Sequence, residues 1–461
     1  MATLSLFLLL AGASAAPHSA AAQSCNSVAD GYTCFPSIAR NWGEYAPFFS
    51  LAAESTISPA IPESCDITFV QALTRHGARY PTSSKNTKYK ALIEEIQSNA
   101  TSFTGEYAFL QTYNYSLSSD VLTPFGELEM YQAGIKFYTR YESLARDHVP
   151  FVRSSSSERV IESSEQFNAG FQATKEADRK ANRKQTAPTI NVVLEETTGF
   201  NNSLDPSTCT NFENSETGDD ATDTWAAVFV PPILARVEKN LPGMSFSTTD
   251  IIYLMDMCSF DTVARTADAS ELSPFCALFS EAEWVQYNYY QTLGKYYGYG
   301  GGNVLGAAQG VGFTNEVIAR LTQKAVQDDT STNHTLDASS ATFPLDAVLY
   351  ADFSHDDGLE PIFFAMGLYN STAPLSNTSV ESVDQTNGYS AAWSVPYSAR
   401  AYIEMMTCQN HKQPLVRVLI NDRVIPLHGC AVDSLGRCTR DDFVQGLSFA
   451  RQGGNWAACF T

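Results

Sequence analysis

The chain has 461 residues, a formal net charge of −21 (29 Lys and Arg against 50 Asp and Glu) and 44% hydrophobic residues. That length and apolar content allow one large core or two to three domains. The acidic balance excludes nucleic acid and anionic membranes as natural partners, so an anionic ligand would need a local positive cluster inside a repulsive field.

At the N-terminus an apolar run, Leu4–Leu10, is followed by small residues. This reads as a secretory signal peptide ending near residue 22, although its first residues lack Lys and Arg. No other stretch reaches the ~18 apolar residues of a membrane span. Ten cysteines occur without a CxxC pair, and sequons stand at Asn99, Asn114, Asn201, Asn333, Asn370 and Asn377. Together they predict a secreted, extracellular, disulfide-bonded glycoprotein, expected to be a monomer.

Ile67–Leu73 is apolar and rich in β-branched residues, and reads as a buried strand delivering Arg75-His76 at its carboxyl end. Tyr89, Leu92, Ile93 and Ile96 then repeat at helical spacing. A second unit has a strand near Val149–Arg153, a serine loop and a helix. In a third, the strand Ala347–Phe353 runs into Ser354-His355-Asp356 and an apolar helix. Three strand-loop-helix units predict an α/β fold, with a mostly parallel central sheet flanked by helices and a crevice at the strands' carboxyl ends.

Between about 160 and 330 helical patterns dominate and strand signals fade. The expected organisation is a leader at 1–22, an α/β catalytic domain formed by 23–160 with 330–461, and a smaller, mainly helical insertion at 161–329. Residues 174–185 read as a solvated helix rather than a nucleic-acid patch. The glycine-rich stretch 298–306 fails G-x-G-x-x-G at every offset and reads as a mobile loop. Near the end, "PLVRVLINDRVIPLHGC" reads as a hairpin turning at Asn421-Asp422.

Each of the three strand-end loops carries chemistry: Arg75, His76 and Arg79; Arg153 and Arg159; His355 and Asp356. The arginine fork donates two parallel hydrogen bonds to phosphate and stays charged. A histidine among such donors is placed to attack phosphorus, with an acid opposite to protonate the departing oxygen. Gly77 is expected to let the backbone approach the anion. An Arg-His pair alone is commonly a surface accident, and Ser154–Ser157 lacks any G-x-S-x-G elbow. His76 and His355 lack metal-site spacing. His148, His334, His411 and His428 have no charged constellation nearby and read as structural.

The stretch Arg75-His76-Gly77-Ala78-Arg79-Tyr80-Pro81 resembles the R-H-G-x-R-x-P signature of the histidine acid phosphatases, and His355-Asp356 resembles their second signature. The likeness runs from about Cys25 to the C-terminus and is closest to the secreted fungal phytases. It implies hydrolysis of phosphomonoesters, phytate foremost, through a covalent phosphohistidine at His76. Arg75, Arg79, Arg159 and His355 would hold the phosphoryl oxygens, Asp356 would protonate the leaving alcohol, and no metal or organic cofactor would be needed. It further implies the disulfides Cys25–Cys34, Cys65–Cys408, Cys209–Cys459, Cys258–Cys276 and Cys430–Cys438.

A polyphosphorylated small molecule calls for cations at the rim, where Lys85, Lys88 and Lys295 fit. Other positions depart from the family pattern. A Lys-Lys pair is here Gly294-Lys295, a Lys is Gln111, and a Gln is Glu44. These losses of positive charge leave a broad-specificity acid phosphatase as the alternative, with a non-catalytic glycoprotein of the same fold as the third reading.

Overall fold

The computed structural model describes residues 24–461, so the expected leader lies outside the described residues. A small hairpin, β1 (Asn26–Ser27) and β2 (Gly31–Tyr32), precedes the main sheet. That sheet contains β3 (Cys65–Arg75), β4 (Phe151–Ser155), β5 (Ile190–Leu194), β6 (Leu349–Ser354), β7 (Arg400–Cys408), β8 (Leu415–Ile420), β9 (Arg423–Ile425) and β10 (Cys438–Thr439). Its order is β10-β8-β7-β3-β6-β4-β5, with β9 on β8. The main helices are α1 (Ser83–Asn99), α2 (Pro124–Arg140), α3 (Glu158–Ala177), α4 (Thr217–Asn240), α5 (Thr248–Arg265), α6 (Glu281–Gly298), α7 (Val311–Thr322) and α8 (Asp356–Ala365).

The fold is α/β, but the sheet is mixed rather than mostly parallel. β3, β6, β4 and β5 run parallel, whereas β7, β8, β9 and β10 pair antiparallel. Short connections impose this, since a two-residue turn cannot join parallel strands. The β8–β9 turn falls at Asn421 (φ 48°) and Asp422 (φ 70°), residue types that tolerate the left-handed region.

A bulge between Ile67 and Phe69 sets the facing of β3. Beyond it, Phe69 and Leu73 point into a core shared with α4, α5 and α6, while Val70 and Ala72 pack on the opposite face with residues of α2 and α3. Arg75, two residues beyond Leu73, shares the first face. On α1 the buried residues are Tyr89, Leu92, Ile93 and Ile96, the periodic set.

The stretch 161–329 is not uniformly helical. β5 pairs in parallel with β4, placing an edge strand of the main sheet inside it. Asn191 and Val193 are exposed while Val192 and Leu194 are buried, so the strand is short, half-wet and faint in sequence. The charged stretch 174–185 leaves the helix at Ala177. Lys175 is buried, donating to the carbonyls of Ala145 (2.8 Å) and His148 (3.1 Å). The glycine-rich stretch 298–306 is packed against its neighbours rather than loose. A Cβ at Gly300 would stand 2.6 Å from the Phe364 ring.

Five disulfides join Cys25–Cys34, Cys65–Cys408, Cys209–Cys459, Cys258–Cys276 and Cys430–Cys438. Cys65–Cys408 links directly opposed residues of β3 and β7. No helix among the described residues is long and apolar enough to cross a membrane. Asn99, Asn114 and Asn370 are exposed; Asn201, Asn333 and Asn377 are half-buried.

Behind the strand ends lies a buried ion network. Arg153 Nε meets Asp352 Oδ1 at 2.9 Å, Arg153 Nη1 donates to Glu316 at 3.0 Å, and Arg320 Nη1 meets Asp352 Oδ2 at 2.6 Å. Removing one member strands its partners' charge without water. Arg153→Ala is therefore expected to lower unfolding free energy in urea by about 3–5 kcal/mol. Arg159→Ala, which relieves crowding between cations, should leave the midpoint equal or higher. Equal losses in the two variants would contradict this division.

Candidate active site

The parallel strands β3, β4 and β6 converge on one crevice at their carboxyl ends, where α/β sheets bind ligands. β3 ends at Arg75, and the His76 amide donates to the Ser354 carbonyl at 3.1 Å, tying the loop to β6. His355 stands at the N-terminal boundary of α8, with Asp356 its first residue. Arg159 lies in the first turn of α3, directly after β4.

The loop after β3 is held from below. Glu129 on α2 accepts the Ala78 amide through one carboxylate oxygen and the Phe48 amide through the other, both at 2.9 Å. Ser163 accepts the Gly77 amide at 3.1 Å. The expectation for Gly77 needs correcting, because its missing Cβ makes room for α2. A Cβ there would lie 2.4 Å from the Gly126 carbonyl oxygen.

Arg75 is fully buried. It donates to the carbonyl of Val395 at 2.6 Å and meets Asp356 Oδ1 at 2.9 Å, with its guanidinium over the Tyr397 ring. Arg159 Nη2 lies 3.2 Å from His355 Nδ1. Burial and the neighbouring Arg79 guanidinium push the Arg159 pKa down, a mark of crowded cations. The Nε atoms of Arg75, Arg79 and Arg159 are all buried without a hydrogen-bond partner among the described residues. Arg40, Arg320, Arg400 and Arg423 share that feature, but only these three crowd one imidazole, and clustered buried cations call for an anionic ligand. Arg153, the other arginine of its loop, is instead consumed by Asp352 and Glu316.

The His76 and His355 rings meet edge-on, 5.5 Å between centroids. His76 Nδ1 lies 2.8 Å from its neighbour's carbonyl at Gly77. That contact selects the Nδ1–H tautomer and leaves the Nε2 lone pair outward. Burial, then Arg75, Arg159, His355 and Arg79, hold the His76 pKa well below the usual range. The imidazole therefore remains neutral in acid, with its Nε2 lone pair free.

His355 is oriented by a residue with no motif in the sequence. Its Nε2 lies 3.0 Å from Glu196 Oε1. Burial works to raise the Glu196 pKa, but hydrogen bonds from His355 and Ser157 hold it below the usual range. Glu129, a glutamate among the apolar residues of α2, carried a faint signal as a charge on a buried stripe.

The acidic end of the crevice differs from expectation. Lys295 is buried, with its ammonium against Glu44, Asp356 and, at 2.6 Å, Asp357. Lys85 meets the Tyr45 hydroxyl at 2.8 Å and Asp256 at 3.3 Å, and Lys88 is exposed on α1. Burial raises the Asp356 pKa, but Arg75 and Lys295 outweigh it and hold the group well below the usual carboxylate range.

The family model described as the histidine phosphatase superfamily (branch 2) matches residues 66–421. The chain belongs to that superfamily. It is 60% identical over 465 residues to Phytase A of Aspergillus oryzae, covering 100% of both chains. It is 59% identical over 455 residues to Phytase A of Aspergillus fumigatus, covering 99% of this chain and 98% of that one. The solved phytase from D. castellii matches with a TM-score of 0.72 at 25% identity, covering 91% of this chain and 87% of that one.

In this member of the superfamily, the acid bracing the phosphatase loop ties stability to pH. Burial pushes the Glu129 pKa from the ordinary 4.5 to about 7, against the pull of the Phe48 and Ala78 amides. A raised carboxyl pKa contributes stability that is fully present below 4.5 and lost as pH climbs through 7, here roughly 3 kcal/mol. Asp352, Glu404 and Asp422, held low by their cations, oppose this on the acid side, where stability falls as they protonate. Unfolding midpoints should therefore peak at mildly acidic pH and decline towards neutrality. Glu129→Gln should flatten the decline between pH ~5 and ~8; an unchanged slope would contradict the assignment.

Proposed function

We propose that the protein is a secreted, monomeric phytase, an acid phosphatase that hydrolyses phosphomonoesters of myo-inositol through His76. The observation that carries this reading is the crowding of Arg75, Arg79, Arg159 and His355 around the buried His76 imidazole. The names of its relatives, Phytase A at 60% and 59% identity, support the substrate. Five disulfides fit an oxidising compartment and so support secretion.

A phosphomonoester enters with its phosphoryl oxygens against Arg75, Arg79, Arg159 and His355. His76 Nε2 attacks phosphorus as the bond to the inositol oxygen breaks, and Asp356 delivers a proton to that oxygen. Water then attacks the phosphohistidine, giving its proton to the Asp356 carboxylate, and inorganic phosphate leaves with the N–P bond broken. Asp356 must be protonated in the first step and His76 unprotonated. Because Arg75 and Lys295 hold free Asp356 ionised, its proton affinity has to rise as the phosphoryl group takes up Arg75, and the optimum is placed on the acid side, between about pH 4 and 6.

The rim favours a second reading on specificity. Lys295 is surrounded by three carboxylates, which leaves Lys85, itself 3.3 Å from Asp256, and Lys88 as the rim cations for outlying phosphates. A broad phosphatase would follow if those two are not enough.

Phosphate release at pH ~5 from phytate and from 4-nitrophenyl phosphate decides between the readings. His76→Ala is expected to abolish both activities, and kcat/KM should be higher on phytate. Turnover of the aryl ester alone would establish the broad enzyme. A folded wild type inactive on both would sink the catalytic reading. Asp356→Asn should cost at least ~10²-fold on phytate and much less on 4-nitrophenyl phosphate, whose phenolate needs no proton to leave. Equal losses would remove Asp356 from the donor role.

A further inference from the structure

The carboxyl groups of Glu44, Asp356 and Asp357 offer oxygens that all lie within 4.8 Å of one another. This group of acids is not an open cation site, because Lys295 Nζ already fills it. One ammonium cannot neutralise three carboxylates, and the Glu44 and Asp356 side chains are only 12% and 10% exposed. Arg75 adds a second positive charge, through its 2.9 Å contact to Asp356 Oδ1. Arg75 and the more distant Arg79 favour the charged form of Asp356, whereas the one ammonium in contact with Glu44 is the shared Lys295; two buried carboxyl groups converging on that ammonium repel each other, and the physical remedy is to retain a proton between them. Asp357 is 40% exposed on its side chain and so is solvated, which leaves the buried pair to share it.

We propose that Glu44 and Asp356 form a carboxyl dyad that holds one proton, with Glu44 as the resting holder and supplier of the proton Asp356 donates. This rests on the phosphatase reading and adds a positioning and proton-storing residue to it. The remaining charged and titratable neighbours are consistent with that division. Arg75, His76 and Arg79 on the β3 loop face Asp356, whereas Glu44 meets Lys295 and Tyr299 beyond α6, with Tyr45, Lys85 and Tyr397 alongside. Burial raises the Glu44 pKa and Asp356 adds to the rise, while Lys295 opposes it.

The cycle balances with one proton. At rest the proton is on Glu44 and Asp356 is a carboxylate held by Arg75 and Lys295. A phosphoryl dianion arriving at Arg75 competes for that guanidinium and weakens its hold on Asp356, whose proton affinity then rises. The proton crosses from the Glu44 O–H to Asp356 and passes to the inositol oxygen as the P–O bond breaks. Attack by water on phosphohistidine returns a proton to Asp356, and departure of phosphate sends it back to Glu44.

The test is the pH profile of Glu44→Gln, which keeps shape and removes the acidic proton, with Glu44→Met as a second variant lacking it. The basic limb of kcat/KM on phytate should move about one pH unit towards acid, because Asp356 then has to bind its proton alone against Arg75 and Lys295. At pH ~6 the phytate to 4-nitrophenyl phosphate activity ratio should fall about tenfold. A phytate limb that stays in place in either folded variant, or a parallel fall on both substrates, would overturn the proposal. A wild type inactive on both substrates would refute the underlying phosphatase reading instead.

Discussion

Much of this structure follows from confining positive charge within a strongly acidic molecule. Arg75, Arg79 and Arg159 stand together with two imidazoles at the ends of three parallel strands, in a chain of net charge −21. Like charges at that density repel, and burial denies them water. The protein balances them on one side with Asp356, itself held by Lys295, and on the other with Glu196 through His355. Binding an anion is then an exchange of partners within a fixed frame. It requires no creation of charge.

The frame has to be stiff for that exchange to be productive, because an arginine fork that relaxes onto a neighbour is lost to the ligand. Stiffness comes from the sheet and from acids beneath it. Asp352 of β6 binds Arg153 and Arg320, and Glu404 of β7 binds Arg140 and Arg417. Glu129 braces the β3 loop at the Ala78 amide and ties it to the preceding segment at the Phe48 amide. The Cys65–Cys408 bond then locks the far end of β3 to β7. The same burial that places these acids makes stability depend on pH, so fold and chemistry favour a common acidic range.

Local chemistry was readable in the sequence wherever a residue had to be of one kind. The β3 strand, the periodic face of α1, the Asn421-Asp422 turn and the His355-Asp356 boundary all announced themselves through composition at fixed spacing. β5 did not, since five residues with one wet face carry little pattern. The antiparallel half of the sheet was hidden because pairing direction is set by connections rather than by strands. Cysteine pairing was likewise invisible to spacing and came only through family likeness. Arg153 and Arg159, six residues apart, look equivalent on paper. What separates them is tertiary: one points back to Glu316 and Asp352, the other forward to His355. Glu196 was silent because its partners are distant in the chain; Glu129 showed only as a charge on an apolar stripe and Glu44 only as a departure from the family pattern, and Lys295 read as a rim cation because its three carboxylates come from elsewhere.

The central claim is that the imidazole between those arginines accepts a phosphoryl group. The direct measurement is a rapid alkaline quench of the enzyme during turnover of 4-nitrophenyl phosphate, followed by peptide mass spectrometry, since phosphohistidine survives in base. The account predicts a phosphoryl group on the peptide containing Arg75-His76-Gly77, borne by His76 and lost on acid treatment. Phosphate release without any phosphorylated peptide, or with the group on a serine of the 154–157 loop, would contradict it.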